Sequence, residues 1–343
     1  MKNDRLSYTV TDRSLLLPSY KKLIIGPSVP FIPRRLNPNA ITHGGHLINL
    51  LGFGVLVAFG QRSGGWPFFF AMAMVQLYNW CDNADGAHAR ATGQTSAMGE
   101  FLDHGLDLFN ATYIAAMGAM AVGAPPVWTF VMILVVVGAA AATYWEQAES
   151  GMFQLGWLNQ IESVFALSLL LVLSGTFGVD IFAHRIGPAG YTVSIRELLM
   201  VFLCGNALVS ILQGPYRVWR KGGKLTAFVP LAGFGIAVFL CAATGALSAL
   251  AATILGVAGY VFLGVRSLAI RLQKRRPPLE RGVVLSIGLL AALLVYRAAG
   301  GAVGVGSDVL AVISGLCFFG GYSALNLRDA TRVVKSLDAK KAA

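Results

Sequence analysis

Four aspartates, a glutamate, two histidines and an arginine lie between Asp82 and Asp107 of a chain that is otherwise mostly apolar. Asp82 and Asp85 are three residues apart, and Asp103 and Asp107 are four apart. On helices, each pair would share one face. Ionisable residues among membrane segments are costly and mark working sites. Converging carboxylates need compensating positive charge, and divalent cations with a preference for oxygen ligands supply it best. The spacing therefore predicts two helix ends facing each other across a metal site.

The elements that must position these residues are membrane helices. Only 13% of the residues are charged and 56% are hydrophobic, with 40 glycines; a soluble domain carries about 25% charged residues. Ten apolar stretches come near the length of about 20 residues that crosses a bilayer. They run over 42–60, 66–83, 98–122, 126–144, 163–182, 197–214, 226–244, 247–265, 283–299 and 305–322. The first 20 residues lack the charged-then-apolar order of a cleavable signal, so the mature chain is expected to start near Met1.

Basic residues set the expected orientation. Ten spans put both termini on one side. Seven basic residues precede the first span, four lie in Arg217 to Lys224, six in Arg266 to Arg281 and five from Arg328 onward. With Arg90, that side holds 23 of the 27 basic residues; Arg62, Arg185, Arg196 and Arg297 lie opposite. Both termini and the acidic motif are thus expected in the cytoplasm. The asymmetry accounts for the net charge of +11 without nucleic acid. Before the first span, Tyr20 to Ile25 and Phe31 to Arg35 mix apolar and basic residues, as an interfacial helix on an anionic surface does. Cys81, Cys204, Cys241 and Cys317 are scattered and show no ligand spacing, so buried free thiols are expected.

Asp82-x2-Asp85-Gly86-x2-Ala89-Arg90-x8-Gly99-x3-Asp103-x3-Asp107 resembles the signature of the CDP-alcohol phosphotransferases, with every fixed position filled. The resemblance implies helices that hold two divalent metals and a CDP-linked substrate. CMP leaves and the phospho-alcohol passes to an acceptor hydroxyl. It also implies Asp82, Asp85, Asp103 and Asp107 as metal ligands, and Asn39, Asp82, Gly86, Ala89, Arg90 and Gly99 around the CDP moiety. Within that family, Gly99-Glu100-Phe101-Leu102-Asp103-His104-Gly105-x-Asp107 is similar to the choline/ethanolamine phosphotransferases. So are Trp145-Glu146-x4-Gly151-x3-Leu155-Gly156-x2-Asn159-x2-Glu162 and Pro38-Asn39-Ala40-Ile41-Thr42. Ala91, and Thr95-Ser96-Ala97-Met98, depart from that subfamily's pattern and bear on the head group.

The expected fold is an all-α polytopic membrane protein of about ten transmembrane helices. It divides into a cytoplasmic segment (1–38), a six-helix catalytic core (39–214), a four-helix part for packing, dimerisation or lipid (215–322) and a basic tail (323–343). The expected reaction moves phosphocholine or phosphoethanolamine from a CDP-alcohol to diacylglycerol, with two Mg2+ or Mn2+ ions. The alternative is transfer of a phosphatidyl group from CDP-diacylglycerol to a small polar alcohol. His104, on a stripe with Glu100, Asp103 and Asp107, has a natural pKa suited to taking a proton from an alcohol. Glu100 would orient it, and Asp107 is the other candidate base. Tyr78, Trp80, Trp145, Glu146, Asn159 and Glu162 are head-group candidates, since aromatic faces attract quaternary ammonium. His43 and His46 are near the cavity without an assigned task. A homodimer is expected, in the bacterial inner membrane or endoplasmic reticulum. A transporter would place acids near mid-membrane with repeat symmetry, and an inert metal site would not need small residues and Arg90 beside the carboxylates.

Overall fold

The computed structural model describes residues 9–60, 64–156, 159–188, 191–273 and 275–342. Its long helices, in chain order, are α1 (Pro38–Phe59), α2 (Trp66–Thr92), α3 (Ala97–Ala121), α4 (Pro126–Ser150), α5 (Gln160–Phe177), α6 (Ile195–Arg220), α7 (Phe228–Ala243), α8 (Ala249–Leu272), α9 (Arg281–Ala298), α10 (Val305–Gly315) and α11 (Gly321–Ala342). Each of the ten predicted apolar stretches overlaps one of these helices, the last running from α10 into α11. The protein is all-α and polytopic.

Seven helical segments among the described residues are long and apolar enough to cross a membrane, not ten. The shortfall has physical causes. Helices α2 and α3 are long but carry the acidic motif, whose polar side chains lower their hydropathy. Helix α7 is apolar but only 16 residues long. The final span is continuous from Val305 to Val333 through α10 and α11. Cys81, Cys204 and Cys241 are buried free thiols as expected, whereas Cys317 is exposed.

The chain folds into two compact units. One comprises Val10–Ala124 and Gln154–Leu203 and contains α1, α2, α3 and α5. The other comprises Met1–Thr9, Pro125–Phe153 and Cys204–Ala343. In the first unit, α1 packs along α2, and α5 packs on both α2 and α3. Leu56, Val75, Met117, Val164 and Leu171 form the dry core among the four helices. Close approach of α1 and α2 depends on glycine: a Cβ on Gly45 would lie 2.7 Å from Cys81 Cβ. Small residues serve helix contacts in membranes in this way.

Local signals set the helix ends that carry the site. Asn37 caps α1 by accepting from the Asn39 N–H at 2.9 Å, with Pro38 at the first position. Helix α2 stops at Gly93, whose φ of +73° suits a residue without a side chain. Ser96 restarts the helix by accepting from the Gly99 N–H at 3.0 Å. This break turns the chain so that α2 and α3 bring the two aspartate pairs back toward each other.

Candidate active site

Asp82, Asp103 and Asp107 offer carboxylate oxygens that all lie within 4.8 Å of one another. Asp82 comes from the C-terminal part of α2, and the other two come from successive turns of α3. Each is half-buried. Three like charges this close repel strongly unless a cation or a proton offsets them. Hard oxygen donors from three carboxylates match Mg2+ or Mn2+. The residues present therefore fit a divalent metal.

Asp85 is the fourth aspartate of the motif and has partners of its own. Its Oδ2 accepts from Thr42 Oγ1 at 2.5 Å, and its Oδ1 accepts from the Gly86 N–H. Thr42 lies one turn into α1, so this bond ties α1 to α2 beside the carboxylate group. Around the site the small residues have defined neighbours. The Arg90 guanidinium folds back over Gly86, where a Cβ would sit 3.3 Å from Nη1. A Cβ on Gly99 would sit 3.1 Å from Asn39 Oδ1, so the start of α3 abuts the start of α1. Ala89 is buried on α2. Glu100, Asp103, His104 and Asp107 share α3 at spacings of three and four, half-buried along one side.

Two polar residues that were not among the expected site residues complete this region. One is Thr42. The other is Gln160, at the first turn of α5, whose Nε2 donates to Asp82 Oδ2 and to Tyr78 Oη, both at 2.9 Å. The signal available in the sequence was modest: a carboxamide opening an apolar helix, between two residues already singled out.

Those two flanking residues, Asn159 and Glu162, hold the N-terminal segment. Asn159 caps α5 by accepting from the Ile161 N–H at 3.2 Å, and its Nδ2 donates to Asp12 Oδ1 at 2.8 Å. Glu162 Oε1 accepts from Ser14 Oγ at 2.6 Å and from the Leu15 and Leu16 N–H groups at 2.8 and 2.9 Å. A carboxylate at the start of the short helix Leu17–Tyr20 is favoured by its exposed N–H groups and dipole. Helical turns continue through Lys21–Ile25, Gly26–Ser28 and Val29–Phe31. Tyr20, Ile25 and Ile32 pack with Ile41, Cys81, Ala84 and Ile161. Burial pushes the Tyr20 phenol up to about 12, and the Asp82 and Cys81 side chains act in the same direction. Outward, Leu23 and Phe31 are exposed beside Lys21, Lys22, Arg34 and Arg35.

The remaining head-group candidates divide between the two units. Tyr78 is buried on α2, and Trp80 donates its indole N–H to Ser28 Oγ at 2.8 Å. Trp145 and Glu146 belong to the second unit, on α4. There Trp145 packs against Phe228 with ring centroids 5.0 Å apart. Glu146 receives two bonds from Arg217, at 2.7 and 2.6 Å. His43 is exposed, while His46 Nδ1 lies 3.2 Å from Asn110 Oδ1 on α3.

Comparison with known proteins agrees with this geometry. A family model described as CDP-alcohol phosphatidyltransferase matches residues 35–202, which contain every aspartate of the motif. The chain is similar to cholinephosphotransferase 1 of Gallus gallus, 28% identical over 207 residues, covering 59% of this chain and 61% of that protein. It is 27% identical over 209 residues to cholinephosphotransferase 1 of Danio rerio, covering 59% and 54%. It is 26% identical over 203 residues to an uncharacterized CDP-alcohol phosphatidyltransferase class-I family protein 2 of Dictyostelium discoideum, covering 58% and 48%. The matched region thus spans about half to three-fifths of these relatives' length. Residues 35–202, with their complete aspartate motif, form a domain that matches the CDP-alcohol phosphatidyltransferase family.

Proposed function

We propose that the protein transfers phosphocholine or phosphoethanolamine from a CDP-alcohol to the hydroxyl of diacylglycerol, releasing CMP. The observation that carries this reading is the mutual approach of Asp82, Asp103 and Asp107 within 4.8 Å. Similarity to cholinephosphotransferases supports the choice of donor.

In this reading Asp82, Asp103 and Asp107 hold Mg2+ or Mn2+, with Asp85 as the fourth carboxylate of a two-ion site. The ions would neutralise the diphosphate and stabilise the departing phosphate oxygen. The protein's own work is positioning and charge balance, which dominate phosphoryl transfer. Arg90 sets its planar fork against the diphosphate oxygens. Gly86, Ala89, Gly99 and Asn39 leave room for the nucleotide. The acceptor oxygen forms a bond to the phosphorus that bears the alcohol, and the bond from that phosphorus to CMP breaks. His104 takes the acceptor's proton, with Glu100 orienting its ring. Tyr78 and Trp80 are the proposed head-group neighbours on the same helix as Asp82. The site opens to the cytoplasm, and the protein works as a homodimer.

A substrate panel on purified protein tests the reading. CMP release should require a divalent metal, a CDP-alcohol and diacylglycerol together. Release only from CDP-diacylglycerol with a small polar alcohol would establish the reverse usage. Lack of CMP release from every CDP-linked donor would overturn the enzyme reading altogether.

A further inference from the structure

We propose that Gln160 is a positioning residue of the carboxylate site, fixing the orientation of Asp82, and that the N-terminal segment fixes Gln160 in turn. The inference rests on the metal-site reading above and extends it to a residue outside the aspartate motif.

The chemistry of the contacts is specific. Asp82 Oδ2 can only accept, so the group facing it at 2.9 Å must be the carboxamide NH2 of Gln160. That NH2 has two hydrogens, and its second acceptor is Tyr78 Oη, also at 2.9 Å. Tyr78 and Asp82 are one turn apart on α2, so the carboxamide bridges successive positions of one helix face from a different helix. A carboxylate held by a donor at one oxygen has a fixed plane, and Asp82 is fixed where it offers an oxygen within 4.8 Å of those of Asp103 and Asp107. Groups that orient a metal's ligands in this way typically change affinity 10–100-fold when removed.

Gln160 is itself held on both sides along the chain. Asn159 is tied to Asp12, and Glu162 collects Ser14, Leu15 and Leu16. The first turn of α5 is therefore clamped by residues 12–16, far away in sequence. From that turn Gln160 reaches Asp82. The segment before the first span thus contributes to the site through three consecutive links: strap, α5 start, carboxamide.

Mn2+ titration of the purified full-length protein, read by electron paramagnetic resonance without nucleotide, tests this. Gln160→Met, which keeps length and removes the donor, should weaken Mn2+ binding about 10-fold. Tyr78→Phe retains the ring and removes the hydroxyl that accepts from Gln160, so it should weaken binding measurably but less than Gln160→Met does. Asp82→Asn should weaken binding more than either. The double variant Asp82→Asn with Gln160→Met should be no worse than Asp82→Asn alone, because Gln160 acts through Asp82. Wild-type affinity in both Gln160→Met and Tyr78→Phe overturns the inference and leaves the metal site standing. Additive loss in the double variant also overturns it, since Gln160 would then act independently. Mn2+ binding that ignores Asp82→Asn overturns the metal reading, and this inference with it.

Discussion

Thr42 Oγ1 donates to Asp85 Oδ2 across 2.5 Å, so the first long helix holds the second aspartate of the motif on its neighbour. The other oxygen of Asp85 is taken by the Gly86 N–H. Replacing Thr42 with valine keeps the branched shape and removes the side-chain donor that Thr42 offers Asp85. A lost hydrogen bond to a charged group costs about 1.5–3 kcal/mol. CMP release from a CDP-alcohol should therefore fall on the order of 10–100-fold. Thr42→Ser should recover most of it. Equal rates for wild type and Thr42→Val would show that Asp85 needs no help from α1.

The carboxylate group predicts an opposition between function and metal-free stability. Asp82, Asp103 and Asp107 crowd within 4.8 Å, and their repulsion destabilises the fold when no cation is bound. Asp103→Asn removes one negative charge with little change in shape. In EDTA its melting temperature should exceed that of wild type, by about 2–4 °C for each kcal/mol of repulsion relieved. Mn2+ should raise the wild-type melting temperature and leave that of the variant almost unmoved. A variant that melts lower in EDTA, yet responds normally to Mn2+, would argue against a metal at this position.

Much of this arrangement was legible before any coordinates. The aspartates could be paired by helical spacing alone, because an i,i+3 or i,i+4 pair shares a face whatever the tertiary fold. What spacing does not encode is which oxygen faces which partner. Thr42 and Gln160 reach the aspartates across helices, from 43 and 78 residues away, and no local pattern reports such contacts. Asn159 and Glu162 were visible as polar residues in a motif, but their engagement with residues 12–16 arises only once the chain returns on itself. Only seven of the described helical segments are long and apolar enough to span, for a related reason. Length counts alike for α2 and α3, yet the acids that make the site also lower the hydropathy of the helices that carry it.

His104 lies between two of the clustered aspartates in sequence, on the same side of α3 as Glu100. If it removes the acceptor's proton, His104→Ala should lower CMP release by about 100- to 10,000-fold, the usual worth of a general base. Mn2+ binding should persist, because His104 is not one of the three clustered carboxylates. Near-normal turnover in His104→Ala would move the proton-accepting role to Asp107.

Glu146 receives both bonds of a two-point contact from Arg217, at 2.7 and 2.6 Å, and its side chain is only 2% exposed. The contact is tight enough that a Cβ on Gly214 would lie 3.2 Å from Glu146 Oε2. Removing one partner strands a buried charge. Arg217→Ala should therefore destabilise the protein by about 3–5 kcal/mol, the usual cost of breaking such a pair. Replacing both partners, as in Glu146→Gln with Arg217→Gln, leaves no charge to strand and should restore most of the lost melting temperature. The same double variant separates structure from recognition. With Glu146 neutralised by Arg217, its carboxylate has little left to offer a cationic head group. The ratio of CMP release from CDP-choline to that from CDP-ethanolamine should then match wild type. A shifted ratio in a variant with recovered stability would mean that Glu146 reads the head group despite its partner.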